Sequence, residues 1–378
     1  AAVGGHQHHV GAQMVRAPLQ QPLFGAAADI ARQQHGPVGA GNAQHAAYDA
    51  PNERCSIRDC TGDRTMNGAQ ARQGCFKFSQ GGPQRTVRET VDCRIENCVG
   101  ALAIAPRADN GMVAIEIWGK GRGGTIDRCR TSGGYIGQSV SKGQAQGLIR
   151  GGHAVNASYA GFEMAHSQGG EITGCMADCN DLSQMGIVLD LQNDLGPVAG
   201  GTVRDCVVKQ PRVAGVLVIG SQPDAGGWRS TRATVRDVAV TMRGSRADAS
   251  GIRVQNLSQV TLGPGLSVDG MLAPRFNAFV IDGSRDVSLD GAEIRRVSSN
   301  AVQLIASHGK AVDAVRIGTI RSDGTGIPFQ MLRLKGAFGP DLSFRCYKGG
   351  RFGDVANPGW QRLTDGGPRA GLGRGAQC

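Results

Sequence analysis

Between residues 57 and 320 the chain repeats one short phrase: an aliphatic residue, two polar or small residues, then Cys or another small apolar residue. The copies begin Ile57-Arg-Asp-Cys60, Ile95-Glu-Asn-Cys98, Ile126-Asp-Arg-Cys129, Ile149-Arg-Gly-Gly152 and Ile172-Thr-Gly-Cys175. They continue as Val203-Arg-Asp-Cys206, Val235-Arg-Asp-Val238, Leu262-Gly-Pro-Gly265, Leu289-Asp-Gly-Ala292 and Ile317-Gly-Thr-Ile320. Successive starts lie 38, 31, 23, 23, 31, 32, 27, 27 and 28 residues apart. A unit this short cannot enclose its own apolar face and must stack on the next copy, so the chain is expected to be a solenoid.

A second phrase follows each first one: Gly, Asn or another small residue, then alternating apolar residues. Examples are Gly161-Phe-Glu-Met164, Gly186-Ile-Val-Leu189, Gly215-Val-Leu-Val218, Gly251-Ile-Arg-Val254, Asn277-Ala-Phe-Val-Ile281 and Asn300-Ala-Val-Gln-Leu304. Alternation with period two, β-branched residues and Gly/Asn breakers predicts strands. Helical repeats would need apolar residues every three to four positions, and leucine-rich repeats a Leu-x-x-Leu-x-Leu frame; neither is present. Each unit is therefore a coil of short strands and turns, stacked on its neighbours in parallel about 4.8 Å apart.

On these two phrases the chain resembles the right-handed parallel β-helix proteins of the pectate-lyase-like superfamily, over roughly residues 52–336. The resemblance implies an all-β chain: a single-stranded right-handed parallel β-helix of about ten coils. Residues 1–51 are expected to be an N-terminal arm and cap, with a short amphipathic helix at 24–35. Residues 52–336 form the β-helix, and 337–378 a C-terminal cap with a Gly/Arg-rich tail. Many members of the superfamily are Ca²⁺-dependent polysaccharide lyases, which brings Ca²⁺ into view as a cofactor. The Arg-x-Pro-x-x-Arg segment of pectate lyases and the Asn-Thr-Asp, Asp-Asp and Gly-His-Gly set of polygalacturonases are missing, so no family residue is carried over.

The composition fits this architecture. Gly supplies 59 of 378 residues without a collagen period, as a turn-rich chain requires, and aromatics are only 4%, which suits a narrow aliphatic core. Of eleven Cys, five (Cys60, Cys98, Cys129, Cys175 and Cys206) recur at one coil position, which reads as a stacked ladder of buried free thiols. The net charge of +10 favours an acidic polymer, and an acidic polysaccharide is the expected partner. Nucleic acid is not expected, because no recognition motif is present and aromatics are few. No run of 18 apolar residues exists to span a membrane. The chain begins at Ala1 with no apolar signal segment, and a secreted protein is expected, its signal removed or trimmed.

Outward residues of one strand row, taken from consecutive coils, build a groove that fits a linear polymer. The second phrase places Glu163 outward, with Asp190 one coil on and two residues further along the strand. That offset separates their Cα atoms by roughly 8 Å, within the 6.5–9.5 Å typical of the carboxyl pairs of inverting glycosidases. For a lyase, Arg253, His166 or Lys335 supplies a base or a carboxylate clamp, and Asp190 with Asp194 offers hard oxygen ligands for Ca²⁺. Gln255, Arg333 and Lys335 extend the groove as substrate-binding residues, while Tyr159 and Trp118 provide stacking surfaces for sugar rings. A lyase acting on an acidic polysaccharide is the leading expectation. A glycoside hydrolase or phage-type depolymerase using the Glu163–Asp190 pair is the second, and a non-enzymatic adhesin or rod the third.

Overall fold

The structure, a computed structural model, describes residues 44–45, 52–64, 74–79, 89–104, 112–192, 198–224, 227–243, 249–271, 275–307, 312–323, 327–339 and 341–348. The cap helix expected at 24–35 and the Gly/Arg-rich tail lie outside these residues. Among the described residues every regular element is a strand, and every strand-to-strand pairing is parallel. The chain is a parallel β-helix.

The first phrase sets the register of the whole stack. Ile57, Ile95, Ile126, Ile149, Ile172, Val203, Val235, Leu262, Leu289 and Ile317 are direct partners in successive coils. All but Ile57 are buried, in one continuous core, and burying each such side chain contributes about 1.5–3 kcal/mol. The third residue of the phrase makes the turn. Asp59, Asn97, Arg128, Asp205 and Asp237 have φ between 50 and 54°, and Gly151, Gly174 and Gly291 between 62 and 69°. This left-handed conformation is one that Gly, Asn and Asp adopt at least cost. The following Cys then turns inward, and its thiol donates to the carbonyl two residues back, at 3.0 Å for Cys60 and Cys206 and 3.2–3.4 Å for Cys98, Cys129 and Cys175. These five form the expected ladder, interrupted at Gly152, where the Gln138 amide takes the space and donates to the Cys129 carbonyl at 2.9 Å.

The stack is longer than the phrases indicate. Strand Leu342–Lys348 pairs in parallel with Val315–Ser322 and sets Phe344 beside Ile317. At the other end Gln44–His45 pairs with Phe76–Ser79.

The second phrase forms an eleven-stranded sheet that runs the length of the stack. Its inward row includes Phe162, Ile187, Val216, Ile252, Phe279 and Val302, all fully buried. The entrance glycines have a steric cause. A Cβ on Gly215 would overlap the Val240 side chain and lie 2.6 Å from the Gly251 carbonyl oxygen, and one on Gly186 would meet Val208 in the same way. The two sheets pass too closely here for any side chain. Gly215→Ala is expected to lower unfolding free energy by about 1–3 kcal/mol through overpacking, read from urea denaturation; an unchanged midpoint would contradict this packing.

Candidate functional site

The candidate site lies on the outward face of the eleven-stranded sheet, on five successive strands: Phe76–Ser79, Val113–Trp118, Ile136–Ser141, Ala160–Ala165 and Met185–Leu191. One outward row runs Lys77, Glu116, Ser139, Glu163, Val188; the next runs Trp118, Ser141, Ala165, Asp190. Asp190 is thus one coil and two residues from Glu163, the offset read from the sequence.

Glu163 is half-buried and accepts a hydrogen bond from Ser139 Oγ at 2.9 Å. Burial pushes its carboxyl up to about 7, with Asp190 and Glu116 adding to the shift while Ser139 and Lys142 oppose it. Near neutrality Glu163 is therefore poised between donor and acceptor. Asp190 is also raised, chiefly by burial, against the hydrogen bond from the Gln192 amide at 2.8 Å and the charges of His166 and Lys142. Glu116 has a different setting: Lys77 Nζ lies 2.6 Å from one carboxylate oxygen and Ser141 Oγ donates to the other at 3.3 Å. This ion pair lies two coils from Glu163 in the same row.

His166 sits just past the strand end with φ 55°, and its backbone amide donates to the Asp190 carbonyl at 2.7 Å. Its ring Nδ1 is hydrogen-bonded to the Gln192 carbonyl oxygen. Since a carbonyl can only accept, Nδ1 carries a proton, and in the neutral ring Nε2 is the nitrogen that holds the lone pair. Two aromatic surfaces flank the acids. Tyr135 and Tyr159 stack with ring centroids 4.9 Å apart and planes within 5°. Burial first, then the charge of Glu163, raises both phenols. On the other side Trp118 is half-buried, with Lys77 Nζ 5.5 Å from its ring centroid.

Glu163, Asp190, His166 and Tyr159 thus come together, with Trp118 on the same face two strands from Glu163 and three from Asp190. Other expected site residues lie further along the sheet. Arg253 and Gln255 are on Ser250–Gln255, three strands and roughly 14 Å from Glu163, though Gln255 shares Asp190's row two strands on. Arg253 is held there at 2.8 Å by buried Asp282, which also accepts from Ser307. Arg333 and Lys335 are exposed at the end of the sheet, six strands and roughly 29 Å from Glu163. Asp194 lies outside the described residues. The described residues contain no group of three His, Cys, Asp or Glu side chains placed to hold a metal ion; the Asp190–Asp194 pair expected for Ca²⁺ lies partly outside them, and no step below is routed through the metal.

Lys77, Glu116, Ser139, Ser141 and Lys142 were not anticipated. Glu116 was legible: Ile115-Glu-Ile117 aligns with Phe162-Glu-Met164 two coils later. Glu163 is consequently not the only acid in its row.

No protein-family model matches the chain, and no curated protein matches it. Solved structures do. The periplasmic alginate epimerase AlgG is 10% identical, with 77% of this chain and 79% of that one covered at a TM-score of 0.43. The A-module of the Azotobacter vinelandii mannuronan C-5 epimerase AlgE6 is 13% identical, with coverages of 77% and 89% and a TM-score of 0.39. PfbA, a surface adhesin of Streptococcus pneumoniae, is 10% identical, with coverages of 81% and 88% and a TM-score of 0.37. Likeness at this level concerns the winding of coils and not their side chains.

The raised carboxyl of Glu163 has a consequence for stability. A folded value of about 7 against the ordinary 4.5 means the folded chain holds a proton that the unfolded chain releases, so its contribution is full below 4.5 and is lost as pH rises through about 7. Glu163→Gln should flatten the melting-temperature profile between those limits. A wild-type profile with no fall in that window attributable to Glu163 would refute the assignment.

Proposed function

We propose that the chain is a carbohydrate-active enzyme that cleaves an acidic polysaccharide by β-elimination on this sheet. The observation that carries the reading is Glu163, a carboxyl titrating near neutrality beside a second carboxylate, between aromatic surfaces on an outward strand row. In this reading His166 Nε2 removes the proton at C5 of a uronate unit. The electron pair forms the C4–C5 double bond as the C4–O4 bond breaks, and protonated Glu163 delivers its proton to O4. Lys142, whose charge already acts on both acids, offsets the negative charge that grows on the uronate. Asp190 holds the Gln192 segment through the amide at 2.8 Å, and that segment's carbonyl fixes the His166 tautomer. The flanking Tyr159 and Trp118 supply faces on which sugar rings stack. A secreted or extracellular setting is part of the same proposal.

Hydrolysis is the second reading, favoured by the Glu163–Asp190 offset of roughly 8 Å, which leaves room for a water between acid and base. The two readings separate by product. Elimination leaves an unsaturated uronate that absorbs in the ultraviolet and requires His166; hydrolysis yields new reducing ends alone and tolerates His166→Gln. Under either, Glu163→Gln and Asp190→Asn are each expected to cut turnover at least about a hundredfold. Turnover within a few-fold of wild type for both variants would remove Glu163 and Asp190 as the acid–base groups, and none by the wild type on uronate and neutral polymers alike would remove the enzymatic reading.

A further inference from the structure

The net charge of +10 is not located at the acid–base site, where Glu116, Glu163 and Asp190 face Lys77 and Lys142. A concentration of guanidinium groups lies instead on the eighteen-stranded sheet. Arg58, Glu96, Asp127 and Arg150 are register partners in four successive coils. The two acids are the buried members, Asp127 only 2% exposed and Glu96 8%. Each holds arginines above it. Asp127 takes Arg150 through two bonds, Nε at 3.1 Å and Nη2 at 2.6 Å, with Arg128 Nη1 at 3.4 Å. Glu96 takes Arg58 Nε at 3.0 Å and Arg94 Nη1 at 3.1 Å. The guanidinium side chains remain open to solvent, at 49–60% exposure, and Arg130 is exposed beside them.

We infer that Arg58, Arg94, Arg128, Arg130 and Arg150 form a docking surface for a linear acidic glycan, on a different sheet from the acid–base site. Five guanidiniums oppose three carboxylates, Glu96, Asp127 and Asp59, the last joined to Arg128 through Asn97. The outer layer is therefore cationic while its orienting charges lie beneath. Buried carboxylates fix the planar forks, so less side-chain freedom is lost when a carboxylate or sulfate is gripped. The arginines recur along the rod at coil spacing, about 4.8 Å, which suits an extended polymer with an acidic group on each unit. Among the described residues the surface carries no Phe, Tyr or Trp side chain for stacking bases, which favours a glycan over single-stranded nucleic acid. The proposed activity supplies only the expectation that such a polymer is at hand.

The test measures equilibrium binding of the full chain carrying Glu163→Gln, so that turnover plays no part. The probes are polygalacturonate for carboxylate and heparin for sulfate. Binding to at least one of them is expected, weakening at least about tenfold as salt is raised through the screening range. Adding R94Q, R128Q and R130Q, which leaves the Arg58–Glu96 and Arg150–Asp127 pairs in place, should cost at least a further tenfold or so. Removing equal charge from the far coils of the same sheet with R295Q, R316Q and R321Q should change binding by less than about twofold. If the first triple variant fails to fold, Arg130→Glu alone must weaken binding at least about threefold, since that exposed side chain makes no ion pair among the described residues. Equal losses from both triple variants, absence of binding to either polymer, or tighter binding to single-stranded DNA or anionic vesicles would each overturn the inference. None of these readouts depends on whether Glu163 is catalytic.

Discussion

Everything in this molecule depends on parallel coils keeping their register. Backbone hydrogen bonds between successive turns hold each residue above its counterpart, and the aliphatic column from Ile57 to Ile317 shows that the alignment survives units of very different length. The extra residues of the longer units leave the rows undisturbed. The left-handed residue after the aliphatic strand then gives eight of the ten phrases the same corner, Pro264 and Thr319 standing at the other two. Once the corners coincide, side chains tens of residues apart become neighbours, which is how Glu116, Ser139 and Glu163 come to share one row.

The phrases that repeat in the sequence are those with a steric or conformational cause, and for that reason they could be read. Ile-x-Asp-Cys marks a corner, and the entrance Gly marks a place where two sheets pass too closely for a Cβ. Coils lacking these markers were harder to see. Val113–Trp118 begins with Val and Ala where later strands have Gly, so Glu116 went unnoticed although its neighbours alternate as required. The last strand substitutes Phe344 for the usual Ile, Val or Leu, so the rhythm breaks in letters while it continues in hydrogen bonds.

Site assignment met a different obstacle. Alignment of phrases gives a residue's row but not which residues share a neighbourhood along the rod. Arg253 occupies the same row as Glu163 and was grouped with it, yet two strands intervene. Net charge has the same weakness, because a sum over the chain carries no address. Here Glu116, Glu163 and Asp190 lie on one sheet and the solvent-facing guanidiniums of Arg58, Arg94, Arg128 and Arg150 on another. His166 gained meaning only from the Gln192 carbonyl, a backbone contact that no side-chain pattern encodes.

The entrance glycines that let the sheets approach also make each coil interchangeable with its neighbour. A gene encoding such a rod can gain or lose a whole layer by unequal recombination between repeats without altering any spacing inside a cluster confined to a few layers. The distance between the Glu163 cluster and the far end of the rod is therefore free to drift over generations, while the spacing within the cluster is not.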